Sequence, residues 1–174
     1  MPSLVMTILG EDRPGLVQSL ASLVSANGGN WLDSRMAHLA GHFAGILHLE
    51  VPSDKVDLLL RALEEMDERG LRVIVQTDES GANESVFWPM QLEVVGNDRS
   101  GIVHEVTRLL AHHGVNVEDF RTEVVSAPMS GGRFFRVDAQ LRLPPDLTRE
   151  QLQRHLEEIS QDLMVDLSLK KRTD

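Results

Sequence analysis

A chain of 174 residues, 41% apolar and 25% charged, has globular composition and room for one ordinary domain or two very small ones. It has no cysteine, which excludes disulfides, thiolate catalysis and cysteine-ligated zinc or iron–sulfur centres, and no apolar run near the ~20 residues that span a bilayer. Its 17 Lys and Arg stand against 27 Asp and Glu, a formal charge of −10. Direct nucleic-acid binding, which rests on cations displacing phosphate counterions, and membrane residence are therefore not expected.

In chain order, Leu4–Leu9 is a short apolar run bounded by Gly10, which predicts a buried strand. Leu16, Val17, Leu20, Leu23 and Val24 form one helical stripe, closed by Asn27-Gly28 as left-handed residues. Pro14 fits the first turn of that helix, where its missing N–H is harmless. Asn30–Leu39 and His42–Val51 predict a hairpin turning at Ala40-Gly41, with Phe43, Gly45, Leu47, Leu49 and Val51 on one face. Pro52-Ser53-Asp54 opens a helix carrying Val56, Leu59, Leu60 and Leu63, and Leu71–Thr77 is a final strand. Polar residues 78–85 read as a linker. The order then recurs. Pro89–Val95 is a strand, and Ile102, Val103, Val106, Leu109 and Leu110 are a helix face. Asn116–Val125 and Arg133–Leu143 make a hairpin. Thr148-x-x-Gln151 is a capping box before Leu152, Leu156, Ile159 and Leu163. Val165, Leu167 and Leu169 close the series, with Lys170-Lys171-Arg172 read as a frayed, solvated tail.

The recurrence is an internal duplication. Residues 4–35 align without gaps on 90–121 with ten identities in 32 pairs, among them Gly10/Gly96, Asp12/Asp98, Arg13/Arg99, Gly15/Gly101 and Asn30/Asn116. Phe43 to Pro52 matches Phe135 to Pro144 six residues further out of step, which places an insertion within 126–132. Each copy reads βαββαβ, the ferredoxin-like pattern. The expected class is α+β: two such units in tandem, each a four-stranded antiparallel sheet with two helices on one face. The expected domains are residues 1–77 and 86–172.

The most specific feature is Gly10-Glu11-Asp12-Arg13-Pro14-Gly15, echoed by Gly96-Asn97-Asp98-Arg99-Ser100-Gly101. Each lies between a strand and a helix, where free N–H groups and the positive end of the helix dipole suit an anion. No Lys-Ser/Thr follows the second glycine and Gly-x-Gly-x-x-Gly is absent, so neither nucleotide-loop reading applies. A structural role for the glycines, in a tight turn and close helix–sheet approach, stands beside a ligand role. The two loop aspartates are symmetry mates, one per copy, which favours twin binding sites over an acid/base pair. The seven histidines include no His-x-x-x-His pair with a carboxylate at ligand spacing, so neither metal nor cofactor is expected. Trp31 and Trp88 suit either a core or an interface.

The loop Gly-x-Asp-Arg-Pro-Gly-Leu-Val, followed by Gly28-x-Asn30-x-x-Asp33-x-Arg35 and its echo at Gly114, Asn116, Asp119 and Arg121, resembles the ACT domain, a ligand-binding module of amino-acid metabolism. The resemblance covers nearly the whole chain, twice. A freestanding tandem pair of this length, with Asp33-Ser34-Arg35 on the second strand, is similar to the family of glycine cleavage system transcriptional repressors. What this implies is a non-enzymatic, cytoplasmic, homo-oligomeric regulator. It would bind glycine or a similar small amino acid where two ACT units meet and act through a protein partner such as a DNA-binding transcription factor. A regulatory subunit of an amino-acid biosynthetic enzyme is the alternative. By position, the implied ligand residues are Asp12, Arg13, Gly15, Leu16 and Asn30, with Asp98, Arg99, Gly101, Ile102 and Asn116 in the second copy. The amides at Gly15-Leu16 and Gly101-Ile102 would hold the carboxylate, Asp12 or Asp98 would accept from the ammonium, and the Asn side chains could serve either end.

Overall fold

The computed structural model describes residues 1–77, 87–126 and 132–172. The linker expected at 78–85 lies outside them, as does most of the insertion expected within 126–132. The chain divides into two compact units, residues 1–83 and 84–174.

Unit 1 runs β1 (Ser3–Glu11), α1 (Leu16–Ala26), β2 (Asn30–Leu39), β3 (His42–Glu50), α2 (Val56–Glu68) and β4 (Leu71–Thr77). Unit 2 runs β5 (Trp88–Asn97), α3 (Ile102–His112), β6 (Asn116–Ser126), β7 (Arg133–Leu143), α4 (Arg149–Leu163) and β8 (Val165–Lys171). The sheets are antiparallel, in the orders β2-β3-β1-β4 and β6-β7-β5-β8. Each unit is thus a βαββαβ fold, as the periodicity predicts.

The offset read from the sequence is the register of the sheets. Leu4 pairs with Leu49 in unit 1 and Met90 with Leu141 in unit 2. The inward sides of these strands meet the helix stripes in two separate cores. One joins Leu4, Met6, Ile8, Leu20, Leu47, Leu49 and Leu59; the other joins Leu92, Val94, Val106, Leu110, Val137, Leu141, Leu152 and Leu156. Each fully buried aliphatic chain contributes about 1.5–3 kcal/mol, so these faces dictate the topology.

Strict alternation fails at one place in each hairpin, and at the same place. The register of β2 shifts between Trp31 and Asp33, and that of β6 between Val117 and Asp119. One extra residue, Leu32 or Glu118, is a bulge. It lets Trp31 and Met36 both pack on the first core, and Val117 and Phe120 on the second, although their spacings of five and three are odd. It also turns Asp33 and Arg35 out, to the face away from the helices.

Three local expectations need correction. Asn27 is not left-handed (φ −93°); Gly28 alone is, at φ 70°. Pro14 precedes α1 rather than starting it, because Gly15 at φ 88° is the cap and such a backbone cannot belong to a right-handed helix. Lys170 and Lys171 are no frayed tail. They pair with Gln91 and Met90 as the end of β8, and Arg172 continues the order, its N–H donating to the Pro89 carbonyl at 3.1 Å and its guanidinium to Gln140 at 2.9 Å.

The open faces of the two sheets differ. In unit 1 one row runs Arg35, Ile46, Thr7, Ile74, with Ile46 and Ile74 56% and 55% exposed. The same row in unit 2 is Arg121, Asp138, Glu93, Ser168, and the Arg136 guanidinium bridges Glu93 at 3.3 Å and Asp138 at 3.0 Å.

Candidate functional site

The two glycine loops are built alike. After β1, the Asp12 N–H donates to the Gly41 carbonyl at 3.0 Å; after β5, the Asp98 N–H donates to the Arg133 carbonyl at 2.9 Å. Both bonds tie the loop to the β-hairpin beside it. Gly15 and Gly101 then cap α1 and α3 at φ 88° and 97°, and neither helix has a side-chain cap. The first helical bonds run from Ser19 to Gly15 and from Glu105 to Gly101, each 2.9 Å. The N–H groups of the intervening residues, beginning with Leu16 and Ile102, therefore have no acceptor within their helix. α4 is the contrast, since Thr148 and Gln151 close it with a capping box.

The four loop glycines divide into two pairs with different reasons. A Cβ on Gly10 would stand 2.7 Å from the Gly70 carbonyl oxygen, and one on Gly96 2.5 Å from a Val165 methyl. Those two serve close strand packing. A Cβ on Gly15 or Gly101 would meet nothing within 4 Å. Their need for glycine is conformational, and the space above them is open.

The flanking side chains are used differently in the two units. In unit 1 the Asp12 carboxylate meets the His38 ring at 2.6 Å, and Arg13 donates to the Arg69 carbonyl at 2.7 Å. In unit 2 Asp98 pairs with Arg133 at 3.1 Å, while Arg99 makes no hydrogen bond or ion pair among the described residues. Arg99 instead lines a cavity of about 580 Å³ with Ser100, Gly101, His104, Thr107 and Phe135. Leu16 and Ile102 bury their side chains in the cores, so only their backbone faces the loop.

Asn30 and Asn116 are not brought to these loops within their own units. Each begins its strand opposite Glu50 or Arg142, at the end of the sheet where Ser3 or Pro89 lies. That is about 25 Å along the strand from the glycine turn at ~3.3 Å per residue. His38, Arg133 and Phe135 were missed as site residues by sequence reasoning. The only signal for Phe135 is its match to Phe43 in the repeat, and none marks His38 or Arg133. Among the described residues no group of three or more histidines and carboxylates is placed to hold a metal, and no helix is long and apolar enough to cross a membrane.

A duplicated βαββαβ unit with an uncapped glycine turn into its first helix defines the class of this fold, and comparison with known proteins agrees. ACT-domain models match residues 3–76 and 90–157. The chain belongs to the ACT-domain family, with two such domains in tandem. It is similar to the UPF0237 protein MJ1558 of Methanocaldococcus jannaschii, 32% identical over 82 residues that cover 45% of this chain and 91% of that protein. Among solved structures, an unknown protein from Galdieria sulphuraria matches with a TM-score of 0.88 at 28% identity, over 99% of both chains. A candidate glycine cleavage system transcriptional repressor matches with a TM-score of 0.71 at 20% identity, over 99% of this chain and 98% of that one; at that identity the likeness is one of fold.

Proposed function

We propose that this protein is a non-enzymatic regulator that senses a small amino acid, glycine or a close relative, at its glycine loops. The observation that carries the reading is the unit 2 loop. Uncapped amides at the start of α3, the Arg99 side chain with no partner among the described residues, and a cavity of about 580 Å³ converge there. Amide N–H groups and a guanidinium are the natural seat of a carboxylate. The Asp98 carboxylate, though paired with Arg133, keeps acceptor capacity for an ammonium group. Asn30 or Asn116 would enter the site only from a further ACT unit, which completes the pocket.

Binding shifts the population of states that a partner recognises. ACT-family membership and the resemblance of the tandem pair to glycine cleavage repressors support a DNA-binding transcription factor as that partner, with the acidic chain itself off the DNA. Cytoplasmic residence and self-association belong to the same reading. Titration calorimetry with the common amino acids tests it. Glycine or serine is expected to bind, and Arg99→Gln or Gly101→Ala to weaken binding about tenfold or more, the worth of a charge-assisted hydrogen bond. Absence of heat with every amino acid would end the proposal. Ligand-dependent capture of a DNA-binding protein from native extract supports the transcriptional role, and capture of a biosynthetic enzyme the alternative of a regulatory subunit.

A further inference from the structure

The end of unit 2 away from the Gly101 loop holds a second cavity, which the reading above does not use. β5 runs from Trp88 to Asn97; the glycine loop follows Asn97, and this cleft opens beside Trp88. Its volume is about 470 Å³, within the ~300–1,000 Å³ range of small-molecule sites. The walls are apolar, formed by Trp88, Met90, Leu143 and Leu147, and the charged groups at its edge are Arg149 and Lys171.

Two features of that edge are unexplained by folding. Neither the Arg149 nor the Lys171 side chain makes an ion pair or hydrogen bond among the described residues, although Asp146 and Glu150 lie close to Arg149 in sequence and the chain carries a net charge of −10. Arg149 also sits in the first turn of α4, where the helix dipole disfavours a cation. Trp88 is 50% exposed, a large apolar surface left in water beside two cations. The α4 amides themselves are closed by the capping box, Thr148 accepting from the Gln151 N–H at 3.2 Å. The polar recognition available is therefore that of two side-chain cations, not of a phosphate-cradling loop.

We propose that this cleft binds an amphipathic monocarboxylate. Its hydrocarbon body, of medium-chain length, lies against Trp88, Met90, Leu143 and Leu147, and its carboxylate sits between Arg149 and Lys171. A neutral apolar ligand would leave the cations idle, and a polyphosphate would leave the apolar walls idle. Arg suits the carboxylate as a planar two-donor fork and Lys as a point charge.

The test uses the protein's own fluorescence. It has two tryptophans, so Trp31→Phe leaves Trp88 as the sole reporter. Decanoate below its micelle concentration is expected to change Trp88 emission saturably, with a Kd of roughly tens of micromolar for a ligand of that atom count. The exposed double variant Arg149→Gln, Lys171→Gln is expected to weaken decanoate about tenfold or more through loss of charge-assisted bonds. On the unaltered cleft, decanol is expected to bind as weakly as decanoate does to that variant, and acetate not to register. Gly101→Ala is expected to leave decanoate binding unchanged, separating this site from the amino-acid site. A flat titration with decanoate, or equal affinity for decanoate and decanol, overturns the proposal. The second comparison needs no substitution at the cleft, so it decides even where the double variant folds poorly.

Discussion

The same four-residue row crosses both sheets, and its chemistry differs between them. Unit 1 presents Ile46, Thr7 and Ile74 beside Arg35; unit 2 presents Asp138, Glu93 and Ser168 beside Arg121. On the helix side, the matching strands are apolar in both, Leu47 and Leu49 in one and Ala139 and Leu141 in the other. Duplication has therefore preserved what the cores and the backbone require and released what faces away from them. The same division runs through the loops. The glycine turn, the uncapped helix start and the hairpin bond are common to both, whereas Asp12 meets a histidine and Asp98 an arginine.

The sharpest way to break this comparison is to substitute neighbours on opposite faces of one strand. Leu47 is fully buried and Ile46 is 56% exposed. Leu47→Ala is expected to cost about 2–5 kcal/mol through lost transfer energy and the cavity left behind, while Ile46→Thr stays within about 0.5 kcal/mol. Urea denaturation of the two variants checks it. Comparable losses would mean that the open face of unit 1 is covered in solution, and the contrast with unit 2 would need another explanation.

Next in size is the close approach at Gly10. A methyl there meets the Gly70 carbonyl oxygen, a backbone atom, at 2.7 Å. Gly10→Ala is expected to lower unfolding free energy by about 1–3 kcal/mol, the cost of overpacking. Gly15→Ala carries only the backbone cost of a positive φ, since the space around it is empty. A stability loss at Gly15 larger than at Gly10 would reverse the assignment of one glycine to packing and the other to the site.

Much of this was legible beforehand. The two glycine loops stand out because identical residues recur at one spacing, and the hairpin register follows because Phe43 and Phe135 keep the alternation in phase with Gly10 and Gly96. The bulges at Leu32 and Glu118 were not legible. Too few apolar residues lie in 30–39 and 116–126 for a one-residue slip to show as a broken pattern. The partners of the loop side chains were hidden for a different reason. His38 and Arg133 reach Asp12 and Asp98 only because the hairpin folds back over the loop, a long-range contact with no local signature. Lys170 to Arg172 misled because charge density resembles a tail, whereas the pairing of Lys171 with Met90 is a property of the sheet.

A smaller effect sharpens the comparison at the turn between the second helix and the last strand of each unit. Unit 1 uses Gly70 at φ 85°, and unit 2 uses Met164 at φ 53°. Met164 is 72% exposed, so its side chain contributes little packing. A non-glycine residue in this region costs about 1–2 kcal/mol, part of which the greater freedom of glycine in the unfolded chain offsets. Met164→Gly is expected to stabilise unit 2 by about 0.5–1 kcal/mol, seen as a later denaturation midpoint with unchanged slope.

The finest difference is a cluster of rings between α3 and α4. The His113 ring stacks on His155 with centroids 4.4 Å apart and meets His112 edge-on at 5.1 Å. Arg108 lines a small cavity with His112 and His113, and Glu158 lies 3.9 Å from His155. Burial, and then the charges of His155 and His112, lower the His113 pKa below its ordinary 6.5. The folded state then binds fewer protons here than the unfolded chain. Its stability rises with pH through this window and is fully present above about 6.5. As pH falls below that value the contribution is progressively lost, ending once the folded-state pKa has been passed. Melting temperature is therefore expected to decline on acidification over this range, and the decline to be shallower in His113→Asn, which cannot take up the proton. An identical pH profile for the two proteins would show that the stacked rings relax apart on protonation and carry no acid sensitivity of their own.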